Sequence, residues 1–261
     1  MHFSLADQYR QVSSPWHRAD ARLKVALVLA FIAVASFTSI DHWITWLILL
    51  GMLWAATLSS RLGLGWVLKR SLLALPFLPA ALPLPFMTRG TPIAALPVLG
   101  WVVSLEGTLR LLSVLAKSWL SIQAAVFLAG TTPFDHMLAG MRALRAPQIL
   151  VSIVGLMYRY LFVLADETAR VQVARASRSG LSPGQHPPGL LWQARVAGNQ
   201  AGLLFVRALE RSERVYAAML ARGYSGEVRV LAERRLAPRD WLALAFGLAA
   251  LLAAAAVGAL T

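Results

Sequence analysis

Residues 23–40 have the sequence LKVALVLAFIAVASFTSI, and this run decides the fold class. Lys24 is its only charged residue. As an α-helix these 18 residues would extend about 27 Å at ~1.5 Å per residue, close to the ~30 Å thickness of a bilayer's hydrocarbon core. The run therefore predicts a first membrane-spanning helix.

The composition of the whole chain agrees with a membrane protein. Of its 261 residues, 58% are hydrophobic and 14% are charged, whereas a soluble domain has about 25% charged residues. The net charge of +13 accompanies too much apolar sequence for a nucleic-acid-binding protein, and such an excess marks the cytoplasmic segments of a membrane protein. We expect an all-α, multi-pass protein of the cell inner membrane, embedded in the lipid bilayer and binding no nucleic acid.

Further apolar runs predict four more spans, at residues 43–59, 71–87, 101–130 and 241–260. The third of the five contains four prolines, which remove backbone donors, so we expect it to be kinked or broken and surrounded by other helices. Thr131-Thr132-Pro133 predicts the start of another helix after the fourth span.

The charge distribution decides the topology of the remaining segment. Residues 131–240 hold 15 of the 25 basic side chains and 8 of the 12 acidic ones, and such a segment should stay in the cytoplasm. The apolar run at residues 148–165 should therefore not cross the membrane. We expect it to form the first half of one long helix over residues 148–178, with its apolar surface buried against protein or lipid. A second long helix is predicted over residues 190–222.

This topology divides the chain into three parts. Residues 1–130 would hold the cytoplasmic N-terminal segment and four spans, residues 131–239 a cytoplasmic helical region, and residues 240–261 a last span that leaves the C-terminus outside.

The residues that could carry chemistry do not form a catalytic or metal site. The chain has no cysteine, its five histidines fall on separate elements, and it has no G-x-x-x-x-G-K-[ST] phosphate loop. We predict no catalytic residue, no metal site and no enzyme activity of its own. Within the fourth span we interpret Glu106 and Arg110 as an ion pair and Lys117 as facing the helix bundle, with a role in a transport path as the alternative.

The end of the second long helix is the most specific feature. At 100° per residue its basic side chains lie within an arc of about 80°, so one face is predicted to be charged and the other to pack. The charged set is Arg207, Arg211, Arg214 and Arg222, and the apolar set is Phe205, Leu209, Tyr216, Met219 and Leu220.

Two helix ends present an arginine between small residues. Ala221-Arg222-Gly223 closes the second helix, and Gly223 suits a left-handed cap. The first helix ends in Ala174-Arg175-Ala-Ser177-Arg178-Ser179-Gly180. Such arginines could insert into a groove on a partner, or they could simply complement the helix dipoles.

With these residues identified, the chain resembles the transmembrane T component of energy-coupling factor (ECF) transporters, the EcfT/CbiQ family, over nearly its whole length. The opening and the last span resemble the cobalt branch, with the nickel branch close behind. The motifs are Asp7-Gln-Tyr, Ser14-Pro-Trp-His17-Arg-Ala-Asp20-Ala-Arg22-Leu-Lys24, Thr131-Thr132-Pro133 with Ala143-Leu144-Arg145-Ala-Pro147, Met157-Tyr158-Arg159-Tyr160, Asp166-Glu167, and Arg211-Ser-Glu-Arg214 leading to Ala221-Arg222-Gly223-Tyr224.

The resemblance implies a coupling role with partner proteins. In this family two X-Arg-X motifs insert into grooves of two ATP-binding cassette ATPase subunits, which hydrolyse the ATP. Counted from Asp166-Glu167, the first motif falls on Ser177-Arg178-Ser179, with Arg175 as an alternative, and the second on Ala221-Arg222-Gly223. Leu156, Tyr160 and Leu161 would contact a substrate-binding membrane (S) subunit.

The implied function is uptake of cobalt ion, as for cobalamin biosynthesis, by an ECF-type ABC importer in which this chain holds no cofactor. The alternatives are a T component for nickel or a vitamin, a stand-alone secondary transporter, or an integral membrane enzyme. The last two are disfavoured because the spans carry no series of carboxylates and the chain has no polar catalytic cluster.

Overall fold

The computed structural model describes residues 9–10, 12, 14–39, 42–72, 79, 81–88, 91–96, 101–178, 189–226 and 238–260. The chain forms two compact units. The first, called here the membrane unit, contains residues 7–144 and 234–261, and the second, called the coupling unit, contains residues 1–6 and 145–233.

The membrane unit is built mainly from helices. Its elements are α1 (Pro15–Arg18), α2 (Ala21–Phe37), α3 (Trp43–Ser59), α4 (Leu64–Ser71), α5 (Leu84–Met87), β1 (Pro92–Leu96), β2 (Trp101–Ser104), α6 (Leu105–Thr131), α7 (Phe134–Ala143) and α10 (Pro238–Leu260). The coupling unit contains α8 (Gln148–Arg178) and α9 (Leu190–Ala221).

Helix α2, the element that residues 23–40 predicted, lies at the centre of the membrane unit and packs against α6, α7 and α10. Gly247 on α10 permits one of these contacts, since a Cβ there would lie 2.7 Å from Leu27. Small residues allow such close approach between helices in lipid. The buried core contains Val28, Phe31 and Ala35 of α2, Leu49 and Leu53 of α3, Leu120, Ala124 and Phe127 of α6, Leu251 of α10, and Leu62.

The fourth predicted span begins later than the sequence indicated. Residues 101–104 form strand β2, which pairs antiparallel with β1, and α6 begins only at Leu105. Ser104 sets this boundary, because its Oγ accepts a hydrogen bond from the backbone N–H of Gly107 at 3.1 Å and so caps the first turn. The prediction of a helix from residue 101 was wrong for residues 101–104, which form the second strand of the hairpin.

Other predicted boundaries shift by a few residues. Helix α2 begins at its N-cap, Asp20, whose Oδ1 accepts from the N–H of Arg22 at 2.9 Å. Thr131 is the last residue of α6, and α7 starts at Phe134 after Pro133. In the segment predicted as a kinked third span, α4 ends at Ser71 and α5 occupies only Leu84–Met87, while residues 73–78 and 80 lie outside the described residues.

Among the residues that the structure describes, three helices are long and apolar enough to cross a bilayer by length and composition: α6, α8 and, in α10, residues 240–257. Helix α3 is also apolar but shorter. The predicted all-α membrane class is confirmed, with a single β-hairpin added among the described residues. That α8 meets the same criterion does not decide whether it crosses, and its cytoplasmic placement stays a prediction.

Candidate coupling site

The coupling unit consists of two long helices joined by one carboxylate. Glu167 on α8 accepts a hydrogen bond through Oε1 from Nη1 of Arg207 on α9 at 2.8 Å. Its Oε2 is 3.2 Å from Nη2 of Arg170 and 4.0 Å from Nη2 of Arg211. Hydrogen bonds, first from Arg207 and then from Arg170, lower the pKa of the Glu167 carboxyl below its ordinary value. Glu167 is therefore held as an anion among three cations.

A second contact fixes the direction of the two helices. The guanidinium of Arg175 on α8 lies over the ring of Trp192 on α9, 5.2 Å from its centroid. Glu167 on α8 thus faces Arg207 on α9, and Arg175, later on α8, faces Trp192, which is earlier on α9. The helices run in opposite directions, and the C-terminal end of α8 lies beside the N-terminal end of α9.

The C-terminus of α9 ends in the left-handed cap that the sequence predicted. Gly223 has a φ of +80°, and its N–H donates to the carbonyl of Leu220 at 2.9 Å. The N–H of Tyr224 donates to the carbonyl of Met219 at 3.0 Å, which completes a Schellman motif. Arg222 is the C-cap residue between them, and its side chain is exposed. The cap thus fixes the backbone that carries Arg222 while leaving its guanidinium accessible.

The end of α8 distinguishes the two candidate arginines. Arg178 is the last residue of the helix and is exposed, and its side chain has no hydrogen bond or ion pair to any described residue. Arg175 is half-buried, and its guanidinium already stacks on the ring of Trp192. Ser177 is exposed and its Oγ donates back to the carbonyl of Val173 at 3.0 Å, whereas Ser179 lies outside the described residues.

The apolar half of α8 exposes carbon surface where an S-subunit contact was predicted. Leu161 is 51% exposed, and Leu156 and Tyr160 are half-buried. Other exposed apolar side chains extend this surface toward the start of the helix, namely Ile149, Leu150, Ile153 and Met157. Contiguous apolar exposure of this kind is typical of a surface covered by protein or lipid.

Within this unit the charged face of α9 is the one that meets α8, and the packing role of its apolar face stays a prediction. Arg207 and Arg211, on the charged face, are the residues that contact α8 through Glu167. The opposite face is largely uncovered, with Phe205, Leu209, Tyr216 and Leu220 all at least half exposed. Amphipathic periodicity identifies two faces, but it does not say which one meets a neighbour when the neighbour carries a carboxylate.

The N-terminal motif, residues 14–24, binds the ends of two other helices. Nε1 of Trp16 donates to Oγ of Ser59 at the end of α3 at 2.7 Å. Nζ of Lys24, which is 2% exposed, donates to the carbonyl of Thr131 at the end of α6 at 2.9 Å. A cation is favourable at a helix C-terminus because of the helix dipole. This segment is therefore structural, a role that sequence reasoning missed.

The ionisable groups of α6 also have structural partners. Glu106 was predicted to pair with Arg110, which is wrong: its Oε2 accepts from the N–H of Thr91 at 2.9 Å and so ties α6 to the hairpin. Lys117 faces the bundle as expected, with Nζ donating to the carbonyl of Ser36 on α2 at 2.9 Å. Among the described residues, no group of three or more His, Asp or Glu could hold a metal ion.

The chain is similar to several known membrane transport proteins. The chain is 33% identical over 180 residues to the cobalt transport protein CbiQ of Rhodobacter capsulatus, covering 68% of this chain and 71% of that protein. It is 28% identical over 233 residues to the energy-coupling factor transporter transmembrane protein EcfT of Brevibacillus brevis, covering 85% and 84%. It is 32% identical over 140 residues to the nickel permease LarQ of Lactiplantibacillus plantarum, covering 54% and 49%.

A family model also matches most of the chain. The model described as CbiQ, cobalt transport protein, matches residues 12–231, a range that includes the N-terminal motif and both arginine-bearing helix ends. The resemblance predicted from the motifs is confirmed. Because the match covers most of the chain, the protein belongs to the CbiQ family of cobalt transport proteins.

Proposed function

We propose that this chain is the T component of an ECF-type ABC importer for cobalt ion. In this proposal Arg178 and Arg222 insert into grooves on two ATP-binding cassette ATPase subunits. The coupling unit carries the motion of the ATPases to the apolar half of α8, which contacts a separate substrate-binding membrane subunit.

The observation that carries the proposal is the separation of the two exposed arginines. Because α8 and α9 run in opposite directions, Arg178 lies near the Trp192 end of the pair and Arg222 at the far end of α9. Thirty residues separate Trp192 from Arg222, which is roughly 45 Å along a helix at ~1.5 Å per residue. Two contact points this far apart suit two partner subunits better than one.

The link at Glu167 supports transmission between the ends. Bonds from Arg207 and Arg170 hold one carboxylate between the helices, so a force on one tip can act on both. The proposal assigns ATP hydrolysis to the ATPases and ion binding to the substrate-binding subunit.

Cobalt is proposed as the transported ion because the matching family and the Rhodobacter capsulatus relative both carry that description. Nickel is the second candidate, since the Lactiplantibacillus plantarum relative is a nickel permease.

The test is purification of the tagged chain co-expressed with candidate ATPases and a substrate-binding subunit, followed by uptake of radiolabelled cobalt and nickel into cells. We expect a stable complex and ATP-dependent uptake that prefers cobalt. Uptake by the chain without ATPases would contradict the proposal in favour of a secondary transporter, and a preference for nickel would reassign the ion while leaving the coupling role intact.

A further inference from the structure

Two arginines of the membrane unit share one aromatic ring. The guanidinium carbon of Arg70, in the last turn of α4, lies 4.2 Å from the centroid of the Trp66 ring. That of Arg10 lies 5.4 Å from the same centroid. Each contact is a cation–π interaction, and together they place two positive charges beside one indole ring.

The ring that holds them is fixed by the end of α6. A Cβ at Gly130 would lie 3.0 Å from the Trp66 ring, so the indole packs directly against the backbone there. The same backbone accepts from Arg10, whose N–H donates to the carbonyl of Gly130 at 3.2 Å. Nη1 of Arg10 donates to the carbonyl of Leu62 at 3.3 Å. The cluster is therefore anchored by the backbone at two points.

The cluster lacks an anion among the described residues. Nη1 of Arg70 is buried and has no hydrogen-bond acceptor there. None of the ion pairs formed by the described residues includes Arg10 or Arg70. A buried guanidinium N–H without an acceptor is costly, and two like charges on one ring repel each other. An anion bound by both guanidinium groups would offset both costs.

The position of the cluster identifies where such an anion would come from. Helix α3 ends at Ser59 and α6 ends at Thr131, and both are apolar helices. Trp66 packs against the end of α6, within a few residues of the end of α3 along the chain. A Trp with Arg neighbours at the ends of apolar helices is typical of the membrane–water interface, where the lipid phosphates lie.

We propose that Arg10 and Arg70, positioned on Trp66, bind the phosphate group of an anionic membrane phospholipid. Guanidinium suits this ligand because its planar N–H groups can bind phosphate oxygens in pairs. An anionic lipid is favoured over a neutral one because the site supplies two positive charges and the described ion pairs offset neither. The bound lipid would hold α4 and the N-terminal segment against the end of α6.

The test uses the full chain in nanodiscs of phosphatidylcholine with a minor fraction of phosphatidylglycerol, and native mass spectrometry to measure the phosphatidylglycerol retained after detergent extraction. Arg70→Gln and Arg10→Gln should each weaken retention about tenfold or more, since a charge-assisted hydrogen bond contributes ~1.5–3 kcal/mol. Lys69→Gln is the matched control, because Lys69 is the exposed neighbour of Arg70 and its loss changes the net charge equally.

The outcomes are distinct. Equal retention of phosphatidylglycerol by Arg70→Gln and Lys69→Gln would overturn the proposed site. So would retention of phosphatidylcholine equal to that of phosphatidylglycerol by the unaltered protein. Inorganic phosphate added to delipidated protein should bind only weakly; if it displaces the lipid at comparable concentrations, the site is for free phosphate and the lipid assignment is wrong. Size-exclusion chromatography detects any loss of folding in Arg70→Gln. In that case the retention measured for Arg10→Gln tests the proposal, because the side chain of Arg10 is exposed and its replacement should not disturb the fold.

Discussion

Arg207 and Glu167 lie 40 residues apart in the chain, and the hydrogen bond between them, 2.8 Å long, joins the two helices of the coupling unit. Glu167 is also bonded to Arg170 on its own helix. The carboxylate is therefore bonded to both helices, and together with the stacking of Arg175 on Trp192 it joins the two arginine-bearing helices.

Glu167→Gln should loosen the α8–α9 pair, because a neutral amide cannot balance three guanidinium groups. Spin labels at exposed Gln172 and Ser212 should report a broader distance distribution. Glu210→Gln is the control, since the ion pair that Glu210 forms among the described residues is within α9, at 4.0 Å from Arg214. An unchanged distribution in Glu167→Gln would show that apolar packing alone holds the helices.

The same pair should respond to acid. The folded state lowers the pKa of Glu167 below its ordinary value of 4.5. Its stabilising effect is therefore complete above pH 4.5 and is lost as the pH falls through the lower, folded-state pKa. The label distances should broaden in that range in the unaltered protein, while Glu167→Gln should show no such transition.

Arg222→Ala should weaken ATPase association by roughly 2 to 5 kcal/mol, about 30-fold or more, if the guanidinium is buried in a partner groove. Arg222→Lys should restore part of the affinity, because an ammonium cannot make paired bonds to a carboxylate. Pull-down and uptake measure both effects. Arg195→Ala, an exposed arginine near the other end of α9, should change neither, and equal losses in the two variants would indicate a general effect of charge.

Arg178→Ala should resemble Arg222→Ala, whereas Arg175→Ala should be milder. Arg175 already stacks on Trp192, and an exposed cation–π contact contributes only about 0.5–1 kcal/mol. The pull-down with ATPases compares the two variants directly. A larger loss from Arg175→Ala would move the first coupling motif by three residues.

Leu161→Asp should release the substrate-binding subunit while the ATPases stay attached, because it places an unpaired charge in an apolar contact. Val173→Asp on the same helix is the control: Val173 is exposed but lies beyond the apolar half. Co-purification of all subunits gives the readout. Retention of the substrate-binding subunit in Leu161→Asp would show that it docks on another surface.

Gly223→Ala should destabilise the end of α9 by about 1–2 kcal/mol, because its φ of +80° forces a Cβ into a left-handed backbone. Gly202→Ala should stabilise the same helix by about 0.5–1 kcal/mol, since Gly202 is a helical residue with no atom near its missing Cβ. Hydrogen exchange of the Gly223 and Tyr224 amides measures the first effect. Equal exchange in both variants would mean that the cap is not formed in solution.

The features predicted correctly from the sequence are local ones. Residues 148–178 were expected to form one helix and do so, and Gly223 adopts the expected cap. Both follow from propensities and spacing within a few residues. The bond between Glu167 and Arg207 and the contact of Glu106 with Thr91 depend on which elements meet in space, and side-chain pattern along one helix does not contain that information.

The start of α6 shows the same limit at shorter range. Residues 101–103 are apolar and adjoin a helix, so periodicity alone extends the helix through them. Their pairing with Pro92–Leu96 and the cap at Ser104 decide otherwise.

The bond from Lys24 to Thr131 has a consequence for how the protein is made. Its two partners are separated by 107 positions, so the ribosome finishes α2 long before the acceptor exists. Until then the ammonium of Lys24 has to remain in the aqueous interface, with its side chain extended toward water. Closure of this bond then marks the assembly of α6 onto α2. A Lys24→Met chain should insert α2 normally, but it lacks the bond that joins α2 to the end of α6, so membrane proteases should clear it faster during synthesis.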